Sequence, residues 1–402
     1  MNAVGPHRIA DLFFQVHWRS EGASHTDAYA AWGVNFWRDI MPQRLRAGLE
    51  GKLPGDRLAL EFSTDELFGS GKSNCLDTLS RRQFDPSRIG SAGLPPLEGR
   101  FYPKGVLKDV AGVFSANREP FRCVEINNGH FKADMGHPLS DRPVSLDVTV
   151  GAVNAKSEER GGSRVDWMET VCQGVGMQAR WKDRPTDFFS GHPFHRSDAA
   201  PDPLFYAGPR LVQHLDDAAL DLIRQLYGRF VKNGMRILDL MGSWDSHLPA
   251  DVRLKQAAAV GLNALELQKN PVLTDRRVHD LNQQAALDFP DGHFDVVVCT
   301  ASVEYLIHPD AVFAEVARVL KPGGYFVLTF SNRWFDTKAV QIWKELHEFE
   351  RMGLVLEYFR GSNRFHDLQT YSVRGLMRPR HDKYFDKLKF ADPVYAVWGR
   401  KK

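Results

Sequence analysis

From residue 204 onward, strand-like apolar runs alternate with helical stripes, and few folds accept that pattern. Leu215, Ala219, Leu222, Ile223, Leu226 and Phe230 share one helical face. Short apolar runs follow at 236–241, 257–262, 294–299 and 325–330. A stripe of Val312, Val316, Val319 and Leu320 stands before the last of them. Strands alternating with helices predict an α/β fold, a parallel sheet covered on both faces. Lys321-Pro-Gly-Gly324 should end the preceding helix, because proline cannot continue it and glycine supplies the turn.

Residues 8–152 carry a different period. Leu58, Leu60 and Phe62 alternate with polar or small neighbours, and so do Val144, Leu146, Val148 and Val150. Period-two runs predict half-buried strands of an antiparallel sheet. The stretch 153–203, rich in Gly, Ser, Asp, Pro and Arg, reads as a connecting segment ordered in places by its Trp and Phe residues. A chain of 402 residues with this change of period is multi-domain, α+β and then α/β.

Charge and cysteine usage narrow the partners. The 52 Lys plus Arg nearly balance 50 Asp plus Glu, for a net charge of +2. No nucleic-acid or membrane partner is expected from that balance. No apolar run approaches the ~18 residues of a membrane helix, and no secretory signal is visible at the start. Cys75, Cys123, Cys172 and Cys299 form no CxxC pair, so reduced thiols in a cytoplasmic protein are expected. The histidines and cysteines show no metal-site spacing, and no metal is expected.

In open α/β sheets, ligands bind beyond the carboxyl ends of the strands, where the strand order reverses. The first run reads Ile237-Leu-Asp-Leu-Met-Gly-Ser-Trp-Asp-Ser-His247, which places Asp239, Met241, Gly242 and Ser243 at such an end. Small residues there admit close approach of a ligand. Asn263 follows the second run and is placed to bond ribose hydroxyls. A third run, lying between those at 257–262 and 294–299 and so making 294–299 the fourth, ends Val278-His-Asp280-Leu-Asn282, which places Asp280, Leu281 and Asn282 where an adenine edge could sit.

Asp291-Gly-His-Phe-Asp295 leading into the fourth run, and Arg318-Val-Leu-Lys-Pro-Gly-Gly324 leading into a strand, resemble class I S-adenosylmethionine-dependent methyltransferases of the type-11-like kind. The resemblance covers about 204–402 and implies a Rossmann-like domain with S-adenosyl-L-methionine as cofactor. The chain departs from that family's loop, since Met241, Ser243 and Asp245 stand where glycines are usual. Asn263 stands where an acid is usual, and Glu266 is the acid placed to compensate. The resemblance implies an acceptor near the end of the fourth run. Glu304, Tyr305 and His308 are therefore the catalytic candidates, with His247 as a further possible base. Tyr206 and Arg210 precede the first helix, in a segment that often folds over the cofactor in related enzymes.

In the first half, Val16-His-Trp18, Leu49-Glu-Gly-Lys-Leu-Pro-Gly-Asp56, Glu66-Leu-Phe-Gly69 and His137-Pro-Leu139 together resemble FKBP-type peptidyl-prolyl isomerases of the SlyD-like branch. Coverage is about 8–152, with an insert at about 70–135. The resemblance implies a prolyl pocket of Trp18, Phe36, Leu45, Phe68 and Leu146, and unfolded or proline-containing peptides as partners. Phe68 stands where the family has Tyr, and Leu146 where it has Phe, so weak or absent isomerase activity is expected.

The leading functional reading is a methyltransferase fused to a peptide-binding module, with a protein, peptide or small molecule as acceptor. The alternative is an isomerase or chaperone carrying a degenerate methyltransferase domain.

Overall fold

The computed structural model describes residues 3–64, 66–68, 76–89, 95–156 and 163–402. Cys75, Gly69 and most of the Gly-rich stretch after Lys156 lie outside the described residues. The chain forms two units. One comprises Met1–Phe188, His347–Glu350 and Tyr371–Gly375; the other comprises Phe189–Leu346, Arg351–Thr370 and Leu376–Lys402.

In the first unit, β1 (Arg8–Ser20) and β2 (Ala23–Asn35) form a hairpin. Gly22 turns it at φ +69°, a left-handed conformation that glycine adopts without a Cβ penalty. Next come α1 (Gln43–Leu49), β3 (Arg57–Phe62), β4 (Leu76–Ser80), β5 (Phe101–Pro103), β6 (Pro120–Asn127), β7 (His130–Asp134), β8 (Val144–Ala155) and α2 (Trp167–Val171). The main sheet runs β3-β8-β1-β2, antiparallel throughout. Val144, Leu146, Val148 and Val150 turn inward from β8, as period two requires. The strands between β3 and β8 make a separate antiparallel sheet, β4-β7-β6-β5. Phe84, Tyr102, Phe121 and Phe131 form its own core.

Part of the 153–203 stretch is ordered by packing. Trp167, Met168, Val171, Val175, Met177 and Phe188 are buried in the first unit, and Trp167 Nε1 donates to Asp39 Oδ2 at 2.9 Å. Apolar side chains at that density bury themselves despite the Gly and Pro around them.

The second unit starts with α3 (Asp202–Phe205) and α4 (Asp217–Phe230), followed by β9 (Arg236–Leu240), β10 (Gln256–Gly261), α5 (Ala264–Lys269) and β11 (Asp275–Val278). It continues with β12 (Phe294–Thr300), α6 (Pro309–Val319), β13 (Leu320–Phe330) and α7 (Gln341–Glu345). Then come α8 (Glu348–Ser362) and β14 (Phe365–Arg374), each of which contributes residues to both units, and finally β15 (Val394–Lys401). The sheet order is β11-β10-β9-β12-β13-β15, parallel except for β15. Strands β9, β10 and β12 are buried almost throughout, as expected of strands covered on both faces. Among the described residues, no helix is long and apolar enough to cross a membrane.

Helix α4 begins at Asp216, whose carboxylate accepts from Ala219 N at 2.9 Å. It lays Ala219, Leu220, Ile223, Leu226 and Tyr227 on the sheet. The Tyr227 hydroxyl reaches Thr300 Oγ1 at 2.6 Å and Thr329 Oγ1 at 2.9 Å, joining the helix to β12 and β13. Tyr227→Phe should therefore destabilise this unit by about 1–3 kcal/mol, because the buried Thr329 hydroxyl and the half-buried Thr300 hydroxyl each lose a partner. Denaturant midpoints of wild type and variant check this; an unchanged midpoint would show the bonds to be dispensable.

Candidate functional site

A cleft opens beyond the carboxyl ends of β9, β10, β11 and β12, and the order reverses between β9 and β12. Asp239, Met241, Gly242, Ser243 and Asn263 all line it. So do Asp280, Leu281, Asn282, Tyr206 and Tyr305, so most of the strand-end candidates meet around one space.

The first loop is built around a buried carboxylate. Asp239 is 3% exposed, and its Oδ2 accepts from Ser246 Oγ at 2.6 Å. Burial pushes its carboxyl up to about 7, against the opposing effect of the Ser246 bond. A Cβ on Gly242 would lie 2.5 Å from that same Oδ2, so the loop needs glycine there for space. Met241 takes φ +58° and His247 φ +52°, and Gly242 N donates to Val260 O at 2.8 Å. One glycine thus suffices where the family uses three, because Met241 itself adopts the left-handed turn. Asp245 sits 3.1 Å from His247 Nδ1 and accepts from Gln213 Nε2 at 2.8 Å. Burial alone would raise the Asp245 carboxyl, but the His247 and Gln213 contacts hold it well below the usual range.

At the tip of β10 the roles differ from the sequence reading. Asn263 Oδ1 caps α5, accepting from Leu265 N at 3.0 Å and Glu266 N at 3.1 Å. Its Nδ2 donates to Tyr206 O at 2.9 Å and Ala207 O at 3.2 Å. Both amide groups are therefore occupied inside the protein, which leaves little of the side chain for a ribose. Glu266, buried and in the cleft, is the acid at this end. Its oxygens accept from Arg210 N at 2.7 Å and Ser243 Oγ at 2.6 Å, and a carboxylate has further lone pairs to offer.

Asn282 is likewise a brace. Its amide donates to Asp202 Oδ2 at 2.8 Å and Tyr305 O at 2.9 Å, and its Oδ1 accepts from Ile307 N at 2.9 Å. Asp202 also pairs with Arg196 at 2.8 Å and lies 3.3 Å from the buried Lys338 Nζ. Asp280 uses one oxygen in a local turn to Asn282 N at 2.9 Å.

The three catalytic candidates separate. Tyr305 lines the cleft, and its hydroxyl accepts from Phe335 N at 2.9 Å. Glu304 and His308 are not among the residues lining this cleft. Glu304 is 1% exposed, its Oε2 finds no hydrogen-bond partner among the described residues, and burial raises its carboxyl to about 8. His308 is exposed at the start of α6. The one-residue step from Tyr305 to Glu304 carries a side chain from the cleft into the core, a difference in direction that spacing alone does not show. Phe335 and His214, which also line the cleft, were not singled out as site residues by the sequence. Their local segments, Phe330-Ser-Asn-Arg-Trp-Phe335 and 205–214, were visible signals.

Residues 254–328 match the family model described as a methyltransferase domain. Over 134 residues the chain is 31% identical to the ubiquinone/menaquinone biosynthesis C-methyltransferase UbiE of Laribacter hongkongensis; the match covers 31% of this chain and about half, 54%, of that protein. It is 28% identical over 202 residues to the protein of that name from Shewanella woodyi, covering 44% of this chain and 79% of the relative. The crystal structure of the YcgJ protein from Bacillus subtilis aligns with a TM-score of 0.34 at 16% identity, over 46% of this chain and 98% of that one.

The matched residues contribute β10, β11, β12 and most of β13 to the sheet that carries the cleft, so this half contains a methyltransferase domain. A methyltransferase domain implies S-adenosylmethionine as the cofactor. The donor set fits that cofactor: an acid at the tip of β10, a carboxylate after β11, a tight loop after β9 and aromatic walls.

The buried acid Glu304 sets a pH dependence. Its folded value, near 8, lies above the ordinary 4.5, so the folded state holds a proton that the unfolded state has released. Stability should therefore fall as pH rises from about 4.5 to about 8. Glu304→Gln should match wild type near pH 4.5 and exceed it at pH 8 by on the order of a few kcal/mol, at about 1.4 kcal/mol per unit of displacement. Chemical denaturation at both pH values checks this; equal curves at pH 8 would place an ionised, solvated Glu304.

Proposed function

We propose that this chain is a methyltransferase that moves the methyl group of S-adenosylmethionine to a flat, largely apolar small molecule, with carbon as the acceptor atom. The cleft at the reversal of the strand order, in a domain that matches the methyltransferase model, is the observation that carries the reading. The relatives' names, C-methyltransferases of ubiquinone/menaquinone biosynthesis, support carbon as the acceptor atom.

The bound cofactor supplies an electrophilic sulfonium methyl group. The chain's own residues hold and orient. Glu266 accepts from the ribose hydroxyls, and Asp280 accepts from the adenine amino group. The rings of Tyr305 and Phe335, stacked with centroids 6.1 Å apart, present a flat wall to the acceptor and exclude water. The Tyr305 hydroxyl receives the Phe335 N–H and so keeps its own proton to donate. Burial and the nearby Arg210 charge push His214 below its usual value, so it stays neutral and able to take a proton from the acceptor.

For the first unit we propose a SlyD-like FKBP-type module whose prolyl pocket is closed by its own chain. Trp18, Phe36, Leu45 and Leu146 are 4% exposed or less. Trp18 Nε1 donates to Asp27 Oδ2 at 2.9 Å, and Phe68 stacks on His137 at 3.7 Å. Asp27 also receives Ser372 Oγ at 2.7 Å and Gln178 Nε2 at 3.3 Å. Those internal donors occupy the polar centre that a peptide would need.

Two outcomes test these roles. Glu266→Gln should weaken S-adenosylhomocysteine binding about tenfold or more, and should change binding of its 2′,3′-dideoxy analogue far less. Titration calorimetry with both ligands decides, and an equal loss for both would remove Glu266 from the ribose. In a protease-coupled assay, the full chain should show no prolyl isomerisation above background; turnover like that of an ordinary FKBP would mean an open pocket.

A further inference from the structure

The segment before α4 folds over the cleft, and Arg210 within it is left incompletely bonded. Its backbone N–H goes to Glu266, and its Nη2 donates to Phe205 O at 2.9 Å. The guanidinium lies 4.6 Å from the centroid of Phe205, 5.4 Å from Tyr206 and 5.3 Å from Phe335. Three rings thus fix its plane through cation–π contact. Its Nη1 is buried and has no hydrogen-bond partner among the described residues. Among those residues the guanidinium makes no ion pair with a carboxylate either.

A buried guanidinium donor normally finds an acceptor. Lys338 and Arg196, on neighbouring segments, are both paired with Asp202. Arg210 instead faces the cleft. Its uncompensated charge is also felt at His214, which, after burial, it helps push below its usual value. Guanidinium forks match carboxylates in geometry and charge.

We infer that Arg210, clamped by Phe205, Tyr206 and Phe335, binds the carboxylate of a ligand in this cleft. The carboxylate has two sources, the amino-acid end of the cofactor or an anionic acceptor. The inference rests on the cofactor reading of the cleft.

The experiment uses the full chain, with Arg210→Met, which keeps an apolar stem against the rings, and Arg210→Lys, which keeps the charge. Calorimetry is run with S-adenosylhomocysteine and with 5′-methylthioadenosine, which shares the nucleoside and thioether but lacks the amino-acid end. Benzoate is titrated into the S-adenosylhomocysteine complexes. A loss of about tenfold to hundredfold for S-adenosylhomocysteine in Arg210→Met, with 5′-methylthioadenosine unchanged and partial recovery in Arg210→Lys, assigns the cofactor's carboxylate. Unchanged binding of both nucleosides, with benzoate bound by wild type and not by Arg210→Met, assigns an acceptor carboxylate. Equal losses for both nucleosides, or no change with any probe, overturn the inference. Wild type that binds neither nucleoside contradicts the cofactor reading itself, and the inference falls with it.

Discussion

The Asn263 amide at the tip of β10 joins two segments that lie far apart in the chain. Its oxygen caps α5 and its nitrogen grips the carbonyls of Tyr206 and Ala207, so the segment before α4 is tied to a strand end. Asn282 does the same between α3, β11 and the turn after β12. A parallel sheet by itself offers only a row of strand tips. These two amides convert the tips into a cleft by closing one side of it. Neutral amides suit the task, because each can donate and accept at once, which a carboxylate cannot.

The electrostatics of the cleft follow from that closure. Asp239 loses its water and shifts up, while Asp245, one turn of loop away, keeps its charge against His247. Two nearby acids are thus driven apart, by burial at Asp239 and by the His247 and Gln213 contacts at Asp245. In the same cleft Arg210 holds a positive charge against three ring faces. The cleft therefore presents both carboxylates and a guanidinium, a polarity suited to a zwitterionic ligand.

Much of the second unit was legible from the chain. Alternating strand and helix patterns placed β9, β10, β12 and β13 closely, because parallel strands must be apolar on both faces. The strand-end residues were found for the same reason. What spacing could not give was side-chain direction. Glu304 and Tyr305 are adjacent in sequence, yet only Tyr305 lines the cleft. Asn263 was read as a ligand because of where it stands, whereas its bonds are set by a segment far off in the chain. In the first unit, Val144 to Val150 signalled β8 through strict alternation. In 153–203 the Trp and Phe residues signalled local order, while the interleaved Gly, Pro and Arg hid how many of their apolar neighbours are buried with them.

The central claim is that this cleft holds S-adenosylmethionine. Thermal unfolding of the full chain with and without saturating S-adenosylhomocysteine, paired with calorimetry, tests it most directly. A ligand that binds only the folded state at 100 times its dissociation constant adds about 2.7 kcal/mol. The account predicts one site per chain and a melting transition raised by several degrees. No heat and no shift at millimolar ligand would contradict it.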